Sequence, residues 1–235
     1  MSKRSPVHPR LVALYQDLLL GIPALPELRV GNSKVFSFLR AWQYLAGAGV
    51  RGDYLEFGVY EGLGFRLAMR TARKALTRDV LDRPRFFAFD SFRGLPATDA
   101  ERDAQVFAQG DYATTRETFE RYTRGAARHW DSFVVEGLFS ESLGPELYEH
   151  HDLRRAAFVS IDCDLYRSTR DALRFVTPLL QTGTILYFDD WYASSGDMRL
   201  GEAGACRDWL AEHPSLELVD YGNVGSMGKL FLANT

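Results

Sequence analysis

The sequence predicts an α/β fold: a mostly parallel sheet with helices on both faces. Three observations lead there. Short apolar runs alternate with helical patterns from Asp53 onward, a glycine-rich turn follows the first run, and acidic residues close several of the runs. The first five runs are DYLEFG, RFFAFD, SFVVEG, AAFVSID and TILYFD, followed by helical patterns near residues 63–78, 113–128, 141–149, 168–180 and 201–213. Such apolar runs suit parallel strands buried on both faces. The last two, LELVD and KLFLAN, are joined by YGNVGSMG. That link is too short for a crossover helix, so these strands are expected to be antiparallel neighbours.

Upstream of the repeating pattern, Leu11, Leu14, Tyr15 and Leu18 share one helical face. An amphipathic surface helix explains them better than a signal peptide, because Gln16, Asp17 and the prolines interrupt the apolar stretch. A Pro-rich connection over Ile22 to Glu27 follows, and Ser33 can cap a helix carrying Phe36, Leu39, Trp42 and Leu45 on one stripe. The expected division is an N-terminal helical extension over 1–51, acting as a lid or an interface, and a single domain over 52–235.

Bulk properties exclude several classes. Lys plus Arg number 28 against 31 Asp plus Glu, which gives no surface suited to nucleic acid. No apolar run reaches the roughly 20 residues that span a bilayer, so no membrane partner is expected. The two cysteines, Cys163 and Cys206, have no metal-like or redox-like spacing, and a cytoplasmic setting fits. The five histidines, His8, His129, His150, His151 and His213, lie away from the apolar strand ends and read as surface or loop residues.

The chemistry gathers at the carboxyl ends of the strands, where an open α/β sheet places its ligand crevice. Asp162 and Asp164 close one run, and Asp189 and Asp190 close the next. Carboxylates brought together in this way repel one another unless protons, cationic partners or a bound hard cation neutralise them. A divalent metal is the simplest answer. The first strand ends in Glu56, followed by Gly58, Gly62 and Gly64, which let the backbone turn and approach a ligand. The spacing is not the dinucleotide pattern, and a carboxylate at Glu56 suits an ammonium group better than a pyrophosphate. Asp90, at the end of the second run, can accept both hydroxyls of a ribose or cap a turn. An ammonium at one end and a ribose at the other describe S-adenosylmethionine. The longest connection, from Ser91 to about Thr115, reads as a binding loop or a tolerated insertion.

EFGVYEG, FAFDSFRGLP, VEGLFSESL, IDCDLYRSTRDAL and ILYFDDW resemble, in that order, the motifs of the macrocin O-methyltransferase family. The likeness covers Gly52 to Trp191, and more weakly GEAGACRDWL. It implies a class I methyltransferase fold, Rossmann-like and seven-stranded with an antiparallel C-terminal strand, using S-adenosylmethionine and Mg²⁺. It also implies that Glu56, Gly58 and Gly62 hold the methionine part, that Asp90 holds the ribose with Ser91 and Phe92 beside it, and that Gly137, Phe139 and Ser140 border adenine. Phe139 covers a face of the base or belongs to the core. Relatives more often carry adjacent glycines where this chain has Glu61-Gly62-Leu63-Gly64.

By the same resemblance Asp162, Asp189 and Asp190 are metal ligands. Asp164 is the general base, or else a turn residue or an outer partner of the metal. A divalent ion acidifies a hydroxyl, and a nearby carboxylate can then take the proton as the oxygen attacks the methyl group. The implied acceptor is a small molecule with a vicinal or chelating hydroxyl on a sugar or phenol. Trp191, Tyr192 and the SSGD that follows wall the acceptor pocket or are packing and loop. The resemblance further suggests a homo-oligomer, a dimer or higher. Two other classes compete: Asp162-Cys163-Asp164 also matches the DxD motif of metal-dependent glycosyltransferases, and the fold could serve a catalytically silent scaffold. The first leaves Glu56, Asp90 and the second acidic pair without a task. The second leaves all four aspartates unexplained.

Overall fold

The computed structural model describes residues 26–76 and 83–235. The helix expected around Leu11 to Leu18, and His8, lie outside the described residues. Seven strands form one sheet: β1 (Asp53–Phe57), β2 (Phe86–Asp90), β3 (Ser132–Glu136), β4 (Ala156–Ile161), β5 (Ile185–Phe188), β6 (Glu217–Val224) and β7 (Gly228–Asn234). Their order is β3-β2-β1-β4-β5-β7-β6, and β7 alone runs antiparallel to its neighbours. The chain builds outward from β1 through β2 to β3, then returns to add β4 on the other side. The carboxyl ends of β1 and β4 therefore flank the switch point, where a crevice opens.

Period-two alternation sends the strand side chains to two cores. Leu55, Phe57, Phe87, Phe89, Ile161 and Phe188 pack with Phe175 and Trp209 from α6 (Tyr166–Val176) and α7 (Gly201–Glu212). Tyr54, Phe86, Phe158 and Tyr187 pack on the opposite face with α1 (Pro26–Ala48), α2 (Leu63–Ala75) and α3 (Arg116–Ala127). All five residues of β1 are buried, as a strand covered on both sides requires.

Two local expectations are corrected. The helix assigned to start at Ser33 begins at Pro26, a residue whose fixed φ suits the first turn of a helix. Ser33 therefore lies inside α1, where its Oγ accepts the Gly225 N–H at 2.8 Å. The buried stripe is Phe38, Ala41, Trp42 and Leu45, while Phe36 is 56% exposed. The helix is rotated so that the largest ring, Trp42, meets Tyr54, Phe86 and Phe158. Full burial of such side chains is worth roughly 1.5–3 kcal/mol each, which seats α1 firmly on the sheet. The helix expected near 141–149 is two short ones, α4 (Phe139–Ser142) and α5 (Glu146–His150), because Gly144-Pro145 interrupts it.

Gly58 ends β1 with φ +83°, and a Cβ there would overlap the Asp162 carbonyl oxygen. The neighbouring turns thus meet backbone to backbone, fixed by the Asp162 N–H on the Phe57 carbonyl at 2.9 Å. Gly58→Ala is expected to cost more than about 2 kcal/mol in urea unfolding, because overlap adds to left-handed strain. Gly110→Ala, also at positive φ but with nothing within 4 Å of the new Cβ among the described residues, should cost only about 1 kcal/mol. Equal costs would mean that the β1–β4 approach relaxes freely.

Candidate active site

A cavity of about 1150 Å³ opens at the carboxyl edge. That is room for two small molecules side by side, since a pocket for one drug-sized ligand holds about 300–1,000 Å³. Its floor is the β1–α2 turn, with Glu56 and Gly58, and the β4–α6 turn, with Asp162 and Asp164. Asp90 and Ser91 enter from the end of β2, and Gly137, Phe139 and Ser140 from the end of β3. Lys34 and Leu39 of α1 close one side.

Two residues expected to touch the cofactor are not part of this wall. Phe92 turns into the core against the Phe119 ring at 5.8 Å, which leaves its backbone, not its side chain, beside Asp90. Gly62 precedes α2 at a place where a Cβ would lie 2.6 Å from Thr123 and 2.7 Å from Phe119, so its role here is to let α3 approach. Gly64 does more for the cavity: a Cβ there would come within 2.7 Å of Glu56 Oε1.

Asp90 binds its own scaffold. Oδ2 accepts the Val59 and Tyr60 N–H groups at 2.7 and 3.0 Å, and Oδ1 accepts the Phe92 N–H at 2.8 Å. These bonds lock the glycine-rich turn onto β2 and fix the carboxylate in the cavity wall. The long connection between β2 and α3 is pinned as well. Asp103, buried, accepts the Tyr166 N–H at the start of α6 at 2.7 Å, and the Arg102 carbonyl accepts the Gly201 N–H at the start of α7 at 2.7 Å. Leu95, Pro96 and Tyr112 of this connection line the cavity.

The acids at the end of β4 and β5 do converge. Oxygens of Asp162, Asp189 and Asp190 lie within 4.8 Å of one another, an oxygen-only donor set of the kind a hard divalent cation takes. The cation seen among them is the Lys34 ammonium, 3.0 Å from Asp162 Oδ2 and 3.0 Å from Asp189 Oδ1. Burial opposes its charge, but Asp162 and Asp189 outweigh burial and hold Lys34 well above the ordinary lysine range. Burial and then the Asp189 charge push Asp162 up to about 7. Asp189 goes down despite its burial, because Lys34 and the Tyr187 hydroxyl both stabilise its charge.

Asp164, at φ +63° and 7% exposed, lies beside Asp190. Burial and the neighbouring Asp190 push Asp164 up to about 10. Beneath the pair lies Glu202 of α7, 1% exposed, whose Oε1 accepts the Cys163 N–H at 3.4 Å and whose Oε2 accepts the Asp190 N–H at 3.0 Å. One buried carboxyl thus ties together the ends of two strands. Sequence reading did not find Lys34, Glu202, Tyr54 or Tyr187. For the tyrosines a signal existed: Tyr54 precedes Glu56 by two, and Tyr187 precedes Asp189 by two, the spacing that puts both on one strand face. Trp191 packs against Phe188 and Phe231 and lies outside the cavity wall, so of its two readings packing is the observed one. Cys163 is a buried small side chain beside Thr169.

A seven-stranded sheet with one antiparallel strand, a glycine turn and carboxylates at the switch point define the class I methyltransferase fold. The model of the macrocin O-methyltransferase (TylF) family matches residues 11–206, and the chain belongs to that family of S-adenosylmethionine-dependent O-methyltransferases. It is 27% identical over 201 residues to 8-demethyl-8-(2,3-dimethoxy-alpha-L-rhamnosyl)-tetracenomycin-C 4'-O-methyltransferase of Streptomyces olivaceus, covering 81% of this chain and 69% of that one. It is 26% identical over 171 residues to demethyldecarbamoylnovobiocin O-methyltransferase of Streptomyces niveus, covering 72% of this chain and 64% of the other, just under two thirds of that relative's length. Among solved structures, the O-methyltransferase NovP superposes with a TM-score of 0.67 at 22% identity, covering 85% of this chain and 79% of that one. The relatives support a natural-product O-methyltransferase.

Glu56 offers a test of the buried charge. Burial, partly offset by the Tyr54 hydroxyl, lifts it to about 8. A carboxyl whose pKa is higher folded than unfolded keeps its proton in the folded state, so stability is lost as pH rises from the unfolded value through the folded one. For a shift from 4.5 to about 8, the loss amounts to about 4 kcal/mol across that window. Chemical unfolding of the ligand-free protein should therefore show stability falling from about pH 5 to about pH 9, with Glu56→Gln flattening the slope. An unchanged slope would assign the titration to other groups.

Proposed function

We propose that the protein transfers the methyl group of S-adenosylmethionine to a hydroxyl of a natural product, with a divalent ion, Mg²⁺, held by Asp162, Asp189 and Asp190. The observation that carries this reading is the convergence of those three carboxylates beside Asp164 on a cavity that also holds Glu56 and Asp90. The donor set fits a hard cation, and the Lys34 ammonium already stands among the same oxygens. A bound ion would supply positive charge that makes an adjacent hydroxyl more acidic.

The chain's residues then divide the work. Glu56 meets the ammonium of the methionine part, and the affinity of that contact includes release of the proton that burial keeps on the carboxyl. Asp90 receives the ribose with an oxygen already oriented by backbone donors. Phe139, held edge-on to Phe57 at 5.7 Å, and Gly137 offer a flat wall for adenine. Asp164 takes the acceptor's proton as the oxygen attacks the methyl carbon in line with the departing sulfur. Burial and the neighbouring Asp190 raise Asp164 in the ion-free protein, and positive charge beside Asp190 would favour the ionised form that a base needs. The acceptor sits between Asp164, the long loop with Tyr112, and the α1 face with Leu39. On this reading residues 52–235 are the catalytic domain, and 1–51 are an extension whose α1 walls the site. The hydroxyl belongs to a sugar or phenol, the first in keeping with the rhamnosyl compound in one relative's name.

Asp164→Asn should retain S-adenosylmethionine and metal affinity in calorimetry while losing about 10²-fold or more in turnover on any accepted substrate. Near-normal turnover would remove Asp164 from the base role. Complete chelation of divalent ions should abolish product seen by mass spectrometry, and Asp189→Ala should weaken metal binding. A product that survives metal removal would overturn the metal assignment while leaving the cofactor site untouched.

A further inference from the structure

Lys34 comes from the N-terminal helix, yet its ammonium lies within the acidic cluster of the sheet. The two oxygens it holds, at 3.0 Å each, belong to two of the three carboxyl groups gathered within 4.8 Å. Its stem runs between aromatic rings, with the nitrogen 5.2 Å from the Tyr187 centroid and 5.9 Å from that of Phe38, and 17% of the side chain is exposed. The helix below is anchored on both sides of it. Ser33 bonds Gly225, Arg40 donates to the Tyr221 carbonyl at 3.2 Å, and Phe38 and Trp42 are buried. This is not a solvated surface lysine. The fold delivers a positive charge to the oxygens that a hard cation would need.

An ammonium and a divalent ion cannot take the same oxygens without repelling each other at short range, a distance well inside the screening length of physiological salt. We propose that Lys34 is a tethered counter-ion that holds the metal's place, so that metal uptake displaces its ammonium from Asp162 and Asp189. The inference rests on the metal-bearing reading above and adds a coupling to it. Loading the site releases a side chain that pins α1 to the acidic cluster, so the state of the metal is communicated to the helix that walls the acceptor side. It also explains how the apo protein tolerates the cluster: a built-in cation stands in until the ion arrives.

The test uses two readouts that need no turnover. In the first, Mn²⁺ binding is followed by electron paramagnetic resonance and calorimetry for the unmodified protein and Lys34→Met, which keeps an unbranched stem against the rings. Loss of the competing charge should tighten the Mn²⁺ Kd at least about tenfold. In the second, lysine acylation of the unmodified protein is followed by mass spectrometry, with exposed Lys74 as internal reference. Lys34 should react faster once Mn²⁺ is added, relative to Lys74. Unchanged or slower Lys34 labelling in protein shown to bind Mn²⁺ overturns the proposal even if Lys34→Met fails to fold, and leaves the metal site standing. A folded Lys34→Met with unchanged or weaker Mn²⁺ affinity overturns it equally. Absence of Mn²⁺ binding in both proteins removes the inference together with the metal reading, a result distinct from either of these.

Discussion

The constraint on which this structure turns is the neutralisation of carboxyl groups packed against the ends of β4 and β5. Glu56, Asp162, Asp164, Asp189, Asp190 and Glu202 all lie in this region, and Glu56 and Glu202 are each 1% exposed. Ionised together and unpaired, they would cost more than a domain's marginal stability can absorb. Each has a separate remedy. Lys34 spans Asp162 and Asp189, and the hydroxyls of Tyr54 and Tyr187 reach Glu56 and Asp189. Burial and the neighbouring Asp190 raise Asp164 toward its protonated form, and Glu202 takes two backbone N–H groups. Burial adds to these remedies by raising Glu56, Asp162 and Glu202 toward their protonated forms.

These remedies also determine how the fold is assembled. Lys34 makes the N-terminal helix an electrostatic participant in the sheet edge as well as a hydrophobic cover. Glu202 makes α7 the brace under both strand ends, since its two oxygens bind the residues following β4 and β5. Asp103, reaching from the long connection to the first turn of α6, does for the loop what Glu202 does for the strands. The crevice is therefore bounded by elements far apart in sequence, each fixed by one buried polar contact as well as by packing. This arrangement gives the cavity a defined shape before any ligand enters, the condition for positioning two reactants in line.

Much of this was legible in the sequence, for identifiable reasons. The central strands show because both sheet faces are covered there, which makes the runs continuously apolar. The acids of the candidate site show because they interrupt such runs at the carboxyl end, where a charge has no packing reason to be. Lys34 did not show, because a cation on a helix ordinarily faces water, and only the tertiary seat of α1 turns it toward Asp162. Glu202 does not show either, because an acid in the first turn of a helix is ordinarily explained by the helix dipole. The stripe of α1 was misassigned through Phe36, since Phe38 and Trp42 fit the aromatic face of the sheet and Phe36 then points outward. Phe92 was placed by its neighbourhood to Asp90, but its positive φ of 56° sends the ring into the core.

A protein indifferent to the chemistry could have removed the cost by replacing these acids with apolar residues, a change that often stabilises buried ion clusters. The aspartates stand instead beside a large cavity, with Asp90 and Gly58 held by backbone contacts whose geometry would serve no purpose in a solid core. Two opposing demands meet at this edge. Catalysis by the proposed route needs carboxylates that are ionised and close together, whereas folding needs them neutral or paired. Lys34, paired with Asp162 and Asp189, meets the second demand in the empty fold. On the proposed route a divalent ion would take over that neutralisation, so that one cation is exchanged for another and what stabilises the empty fold is also what ligand binding would undo.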